Sequence, residues 1–163
     1  MSERHILYPG TFDPVHRGHL DVLARTLALF DRVTVVIAAA EGTAVLPVTE
    51  RVELFRIAAV GLARCEVASF SGLLVDELRR RGAVGIVRGV RSAADYEHER
   101  ALAGVNGLLA PQMEGIYLLA RPELSPISST LVRDVARHGG DLRELVPAAI
   151  AERLQKRLDP AAG

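Results

Sequence analysis

Tyr8-Pro9-Gly10-Thr11-Phe12-Asp13-Pro14-Val15-His16-Arg17-Gly18-His19 is the stretch whose reading decides the fold. It follows the apolar run Ile6-Leu7-Tyr8, which reads as a short buried strand. It leads into Leu20, Leu23, Leu27 and Phe30, whose spacing of three and four marks one face of a helix. Strand, glycine turn, loop and helix therefore follow one another. Gly10 suits either a positive φ or the close approach of another molecule to the backbone. Gly18 falls where the helix begins, and a helix start offers unpaired N–H groups and partial positive charge to an anion. His19 lies in that first turn, aimed at the same spot. The pattern points to a phosphate-handling site. Two plainer readings stand beside it: a partly exposed surface histidine, or His16 and His19 as two metal ligands, for which no third ligand stands at a convincing spacing.

Outward from this stretch, apolar runs alternate with helical patterns. Arg32 to Ala39 is a near-continuous β-branched run, as expected of a parallel strand covered on both faces. Residues 40–48 read as a loop. Thr49 reads as the cap of a helix through about Leu62, with Val52, Phe55, Ala59 and Leu62 on its apolar face. Further strands are expected at Glu66–Phe70, at Val84–Val87 (stopping at Arg88-Gly89) and at Gly115–Leu119. Further helices are expected from Gly72 to Arg81, from Ser92 to about Leu109, from Ser128 to about His138 and from Pro147 to Leu158. Residues 159–163 read as a frayed tail.

The alternation implies one doubly wound α/β domain over residues 1–163, a five-stranded parallel sheet with helices on both faces. Ligands in such sheets bind beyond the carboxyl ends of the strands, where the strand order reverses. With the first and fourth strands as central neighbours, Gly10-Thr11 and Arg88-Gly89 meet at that crevice.

The chain has 163 residues, 49% of them apolar, with 20 basic and 20 acidic side chains. Zero formal charge argues against nucleic acid as a partner. No apolar run approaches the ~18 residues of a membrane span. The N-terminus lacks an apolar export signal. Cys65 is the single cysteine, which excludes an internal disulfide and fits a reducing, cytoplasmic setting.

Two further groups of residues carry chemistry. Arg88-Gly89-Val90-Arg91 places two guanidinium forks at a strand end, where they suit phosphate oxygens; ion pairs to Asp95, Glu97 or Glu99 are the alternative. Ile127-Ser128-Ser129-Thr130 is a helix start rich in hydroxyls, suited to phosphate oxygens and equally to helix capping.

Thr11 followed by His16-x-Gly18-His19 resembles the T/HxGH signature of the nucleotidyltransferase superfamily, in which the second histidine faces the α-phosphate of a nucleoside triphosphate. The Tyr8–Pro14 context resembles, more narrowly, the phosphopantetheine adenylyltransferase family of coenzyme A synthesis. Arg88 to Glu99 resembles that family's RGLR…DFEYE segment, and Ile127 to Thr130 followed by Arg133 resembles its ISST/SxxR element. The resemblance implies a Rossmann-like nucleotidyltransferase fold and transfer of AMP from ATP to 4′-phosphopantetheine, with Mg²⁺ arriving on the triphosphate. It implies a catalytic set of His19, Thr11 and Arg91. Thr11, Phe12, His19, Gly89, Val90, Arg91, Glu99 and the segment Leu124, Ser125, Pro126, Ile127, Ser128, Ser129, Thr130 become the ATP site. Thr11, Arg88 and Leu74 would meet the acceptor. A homohexamer inhibited by coenzyme A is implied as well.

One departure stands out. The family places a lysine in the loop after the second strand, where this chain has Ala40-Glu41-Gly42-Thr43-Ala44-Val45-Leu46-Pro47. Thr43 falls at about the equivalent position. Loss of a charge-assisted contact is worth roughly 1.5–3 kcal/mol. Compensation by Arg17 or another arginine, weak acceptor binding and a different acceptor all remain open at this point. A sibling transferase with another phosphate acceptor and a non-catalytic adenine-nucleotide binder are the rival readings.

Overall fold

The computed structural model describes residues 3–39 and 44–158. Its elements are β1 (His5–Gly10), α1 (Arg17–Leu29), β2 (Arg32–Ala38), α2 (Val48–Ala58), β3 (Cys65–Phe70), α3 (Leu74–Arg81), β4 (Gly85–Val90), α4 (Ala93–Leu109), β5 (Glu114–Leu119), α5 (Ser129–Arg137) and α6 (Ala148–Leu158). All strand pairings are parallel, in the order β3-β2-β1-β4-β5. The chain winds outward from β1 to β3 and then crosses to β4, so the order reverses between β1 and β4, as expected.

Side chains alternate across each strand, which divides the core in two. Ile6, Tyr8, Val33, Val35, Ile37 and Val87 belong to a large cluster shared with α1, α2, α5 and α6. Leu7, Val36 and Ile86 form a smaller cluster on the opposite face with Leu78 of α3 and Ala83. The helix α4 covers that face thinly: Glu99 is its one buried residue.

The crevice has a local cause. β1 pairs with β2 along its whole length, from His5↔Arg32 to Gly10↔Ile37, but with β4 only at Ile6↔Gly85 and Leu7↔Ile86. Pro9 has no N–H to give a ladder. Beyond Leu7 the two strands are joined instead by a side chain, with Arg88 Nη1 donating to the Pro9 carbonyl at 2.5 Å.

Several expected boundaries move. β4 continues through Arg88 and Gly89 to Val90, so the two residues extend the strand rather than end it. Their register with Tyr117 and Leu118 of β5 carries it on. α2 starts one residue before Thr49 and is capped by Pro47 without a side-chain bond. It ends at Ala58, and tight turns at Val60 and Leu62 carry the chain past Gly61 at φ +88°. Gly10 is not at positive φ; the left-handed residue is Phe12, at +47°. Glycine is required at position 10 because a Cβ there would come within 2.7 Å of the Phe12 ring. Ser92 and Ser128 cap α4 and α5 as expected, accepting from the Asp95 and Leu131 amides. The expected frayed tail, 159–163, lies outside the described residues.

Gly85 sits where β4 meets β5, and a Cβ there would collide with the Glu114 backbone carbonyl. Gly85→Ala is expected to cost about 1–3 kcal/mol, as overpacking against a rigid backbone does. A lowered urea midpoint would show it.

Candidate active site

At the carboxyl ends of β1 and β4 lies a cleft of ≈ 620 Å³, lined by the β1–α1 turn, the end of β4, the start of α4 and the start of α5. Its wall is organised around His19, the third residue of α1. The His16 amide donates to His19 Nδ1 at 3.1 Å. That bond settles the tautomer of a neutral ring: Nδ1 is the acceptor, so Nε2 carries the proton and is a donor. The ring is gripped on both sides. His16 stacks on it with centroids 3.6 Å apart, and Phe12 meets it edge-on at 4.8 Å. Phe12 itself sits edge-on to Tyr8 and Phe55, which makes its left-handed backbone worth the strain.

Electrostatics keep both imidazoles uncharged. Burial, with the Arg91 charge nearby, lowers the His16 pKa to about 3. Burial also holds His19 well below the ordinary histidine range, assisted by His16, Arg91 and Arg88. The two rings stack rather than converge, an arrangement unsuited to the metal pair considered from sequence.

Every cleft arginine is already paired. Arg88 donates through Nε and Nη2 to Glu99 Oε1, at 2.8 and 2.5 Å. Arg91 donates through Nε to Asp95 Oδ2 at 3.1 Å, and its Nη1 holds the Ile127 carbonyl at 3.0 Å. Arg133 donates to the Asp13 carbonyl and lies 3.3 Å from Asp13 Oδ2, while its Nε is buried without a partner among the described residues. The ion pairs offered as the alternative reading of Arg88 and Arg91 are thus present, inside the cleft rather than on an outer surface.

Of the residues singled out from sequence, Thr11, Phe12, His19, Arg88, Gly89, Arg91, Glu99, Leu124, Ser128, Ser129 and Thr130 all line the cleft. Val90 is buried beneath it. Ser125 and Ile127 reach Arg91 through their hydrogen bonds, and with Pro126 lie outside the lining. The Ser129 hydroxyl donates to the Pro14 carbonyl at 2.8 Å, so it ties α5 to the turn. Leu74 packs half-buried on the smaller core cluster, away from the cleft lining. Arg17 is also elsewhere: its Nε and Nη2 both donate to the Arg143 carbonyl. Thr43 lies outside the described residues.

Sequence reasoning gave no role to Arg51 or to the Asp13 carboxylate. Arg51 is 1% exposed, yet it is charged and stands in line with Phe55 and Ala59 at spacings of four on the buried face of α2. A charge on an expected apolar stripe was the available signal.

His5 and His16 are buried and His19 is half-buried in the cleft wall, and desolvation is the chief cause of a lowered pKa in all three. In the unfolded chain they return to about 6.5. Below that pH the unfolded state binds protons that the native state refuses, so their contribution to stability is full above about pH 6.5 and is lost as the pH falls, for His16 down to about pH 3. His16→Asn is expected to give a flatter dependence of melting temperature on pH between 7 and 4 than the parent chain, measured by circular dichroism.

Comparison with known proteins agrees with this geometry. Residues 7–135 match the cytidylyltransferase-like family. The chain is 42% identical over 159 residues to a phosphopantetheine adenylyltransferase of Aromatoleum aromaticum, covering 97% of this chain and 98% of that one. It is 43% identical over 153 residues to a phosphopantetheine adenylyltransferase of Thioalkalivibrio sulfidiphilus, covering 93% and 96%. A solved structure described as a putative nicotinate-nucleotide adenylyltransferase from Vibrio parahaemolyticus superposes with a TM-score of 0.68, over 94% of this chain and 99% of that one. At 15% identity that likeness speaks for the fold alone. With its sheet order, its histidine turn and relatives matched nearly end to end, the chain belongs to the phosphopantetheine adenylyltransferase family, a family of nucleotidyltransferases.

Proposed function

We propose that this chain transfers AMP from ATP to 4′-phosphopantetheine, giving dephospho-coenzyme A and pyrophosphate, by direct in-line attack without a covalent intermediate. The observation that carries the reading is the neutral His19 locked as an Nε2–H donor in the wall of the cleft.

The chemistry asks little of the protein beyond placement. A phosphate monoester has a second pKa of about 6, so near pH 7 it is largely dianionic and needs no general base. The barrier falls through alignment and through donors aimed at charge that develops on the α-phosphate. His19 Nε2–H is such a donor, and a neutral ring can serve without first losing or gaining a proton. Thr11, at the turn beside it, orients acceptor phosphate and nucleotide. Arg88, from β4, holds the acceptor. Arg91, with the first turn of α5 at Ser129 and Thr130, holds ATP phosphates; a helix start leaves amide donors suited to that task. Leu124 to Pro126, tethered through the Ser125 hydroxyl to the Arg91 carbonyl, cover the adenine and ribose.

Mg²⁺ enters with the triphosphate in this scheme. The cleft carboxylates Asp13, Asp95 and Glu99 are each committed to an arginine, which fits an ion whose ligands are mainly phosphate oxygens and water. A homohexamer, feedback inhibition by coenzyme A and cytoplasmic residence belong to the same proposal. The exposed apolar positions Leu102, Val105 and Leu108 on α4 favour self-association.

Incubation with ATP, Mg²⁺ and 4′-phosphopantetheine, followed by mass detection, is expected to yield dephospho-coenzyme A and one pyrophosphate per product. ATP binding without pyrophosphate release would point to a nucleotide sensor instead. His19→Ala is expected to slow turnover by ~10²–10³ while leaving ATP binding largely intact. Unchanged turnover in that variant would remove His19 from the mechanism.

A further inference from the structure

Arg51 is one of the most deeply buried side chains in the molecule, at 1% exposure, and it stands behind the cleft rather than in its lining. Among the described residues its acceptors are three backbone carbonyls from three separate segments. Nε donates to Leu46 at 3.0 Å, just before α2. Nη1 donates to Thr11 at 2.6 Å and to Ala38, the last residue of β2, at 3.0 Å. The Leu46 peptide is held from its other side too, since its amide donates to Asp13 Oδ1 at 2.9 Å. Asp13 Oδ2 takes the Val45 amide at 2.8 Å.

Thr11 is where this matters. The β1–β2 ladder ends at Gly10↔Ile37, so Thr11 is the first residue beyond strand pairing. Phe12 then turns left-handed. Between the end of the ladder and that turn, the Arg51 fork supplies the hydrogen bond that no strand partner can. A guanidinium suits this geometry because its donors lie in one rigid plane and reach several acceptors at once; an ammonium of the same charge cannot span them.

We propose that Arg51 is a positioning residue for adenylyl transfer: by fastening the Thr11 carbonyl to the end of β2 and the approach to α2, it sets where the Thr11 side chain stands in the cleft. The proposal rests on the adenylyl-transfer reading given above. It differs from a purely fold-stabilising role in what it says about Thr11.

A double-mutant cycle tests it. Arg51→Lys is expected to stay folded and to lose about 10²-fold in kcat, the scale of a misplacement of about 1 Å. Its KM for ATP should remain within about twofold, since the loss concerns the chemical step. In a Thr11→Ala background, where the hydroxyl to be placed is gone, Arg51→Lys should cost little more. Two coupled residues are non-additive in this way, whereas a general loss of structure adds. The proposal is overturned by parent-like kcat in folded Arg51→Lys, or by losses that add in the double variant. If Arg51→Lys does not fold, Arg51→Gln, which keeps donors without charge, is judged by the same cycle. Failure of both to fold assigns Arg51 to folding alone and also overturns the proposal. Parent-chain turnover is the control: its absence rejects the functional reading and this proposal together, while its presence with unaffected variants rejects only the proposal.

Discussion

The hydrogen bond from the His16 amide to His19 Nδ1 fixes the character of the cleft. One backbone donor decides which ring nitrogen accepts, and so which one donates. Everything around it prevents the alternative. Protonating the ring would place a hydrogen on Nδ1 against the His16 amide and a charge beside Arg91 and Arg88. The His16 and Phe12 rings forbid rotation away. In the proposed transfer, a neutral ring of fixed tautomer is a permanent donor for charge developing at phosphorus. Burial supplies that permanence here, at a cost in stability at acid pH.

The second constraint is charge balance. The chain has no net charge, and Arg88, Arg91 and Arg133 each face a carboxylate within the cleft. Such pairs contribute little to stability after desolvation, and removing one partner strands the other. Their value lies in geometry. Arg91 shows it: Asp95 fixes one edge of its guanidinium while Nη1 holds the Ile127 carbonyl, so a single side chain links β4, α4 and the approach to α5. Under the proposed function, attraction for polyanions comes from N–H groups left on prealigned forks and from helix starts, both of which act at short range.

Much of this was legible in the sequence. Apolar runs at β1, β2 and β5 and the helical spacings of α1 and α2 set the alternating order, and the T/HxGH turn fell on the wall of the cleft. The reversal of strand order followed from pairing Gly10 with Arg88. What escaped reading depends on partners distant in the chain. α2 begins early, behind a segment whose amides are claimed by Asp13, 32 and 33 positions away. β4 runs on through Arg88 because β5 pairs with it to Val90, where a local reading sees only a charge ending an apolar run. Gly10 suited either a positive φ or the close approach of another molecule; its φ is ordinary, and its small size makes room for the Phe12 ring. The backbone anomaly moved two residues on, to a phenylalanine held by aromatic neighbours that no local pattern reveals.

The missing family lysine can be weighed against the donors that remain. Arg17 offers no substitute, since its fork is turned onto the Arg143 carbonyl. Arg88 is placed better. Its Nε and Nη2 reach Glu99, and Nη1 reaches Pro9. A guanidinium carries five N–H groups, so two of those of Arg88 have no acceptor among the described residues. The Glu99 pairing therefore steers the fork without exhausting it. On the proposed role of Arg88, the acceptor phosphate meets a guanidinium already oriented by Glu99 and Pro9, which a flexible lysine would not offer.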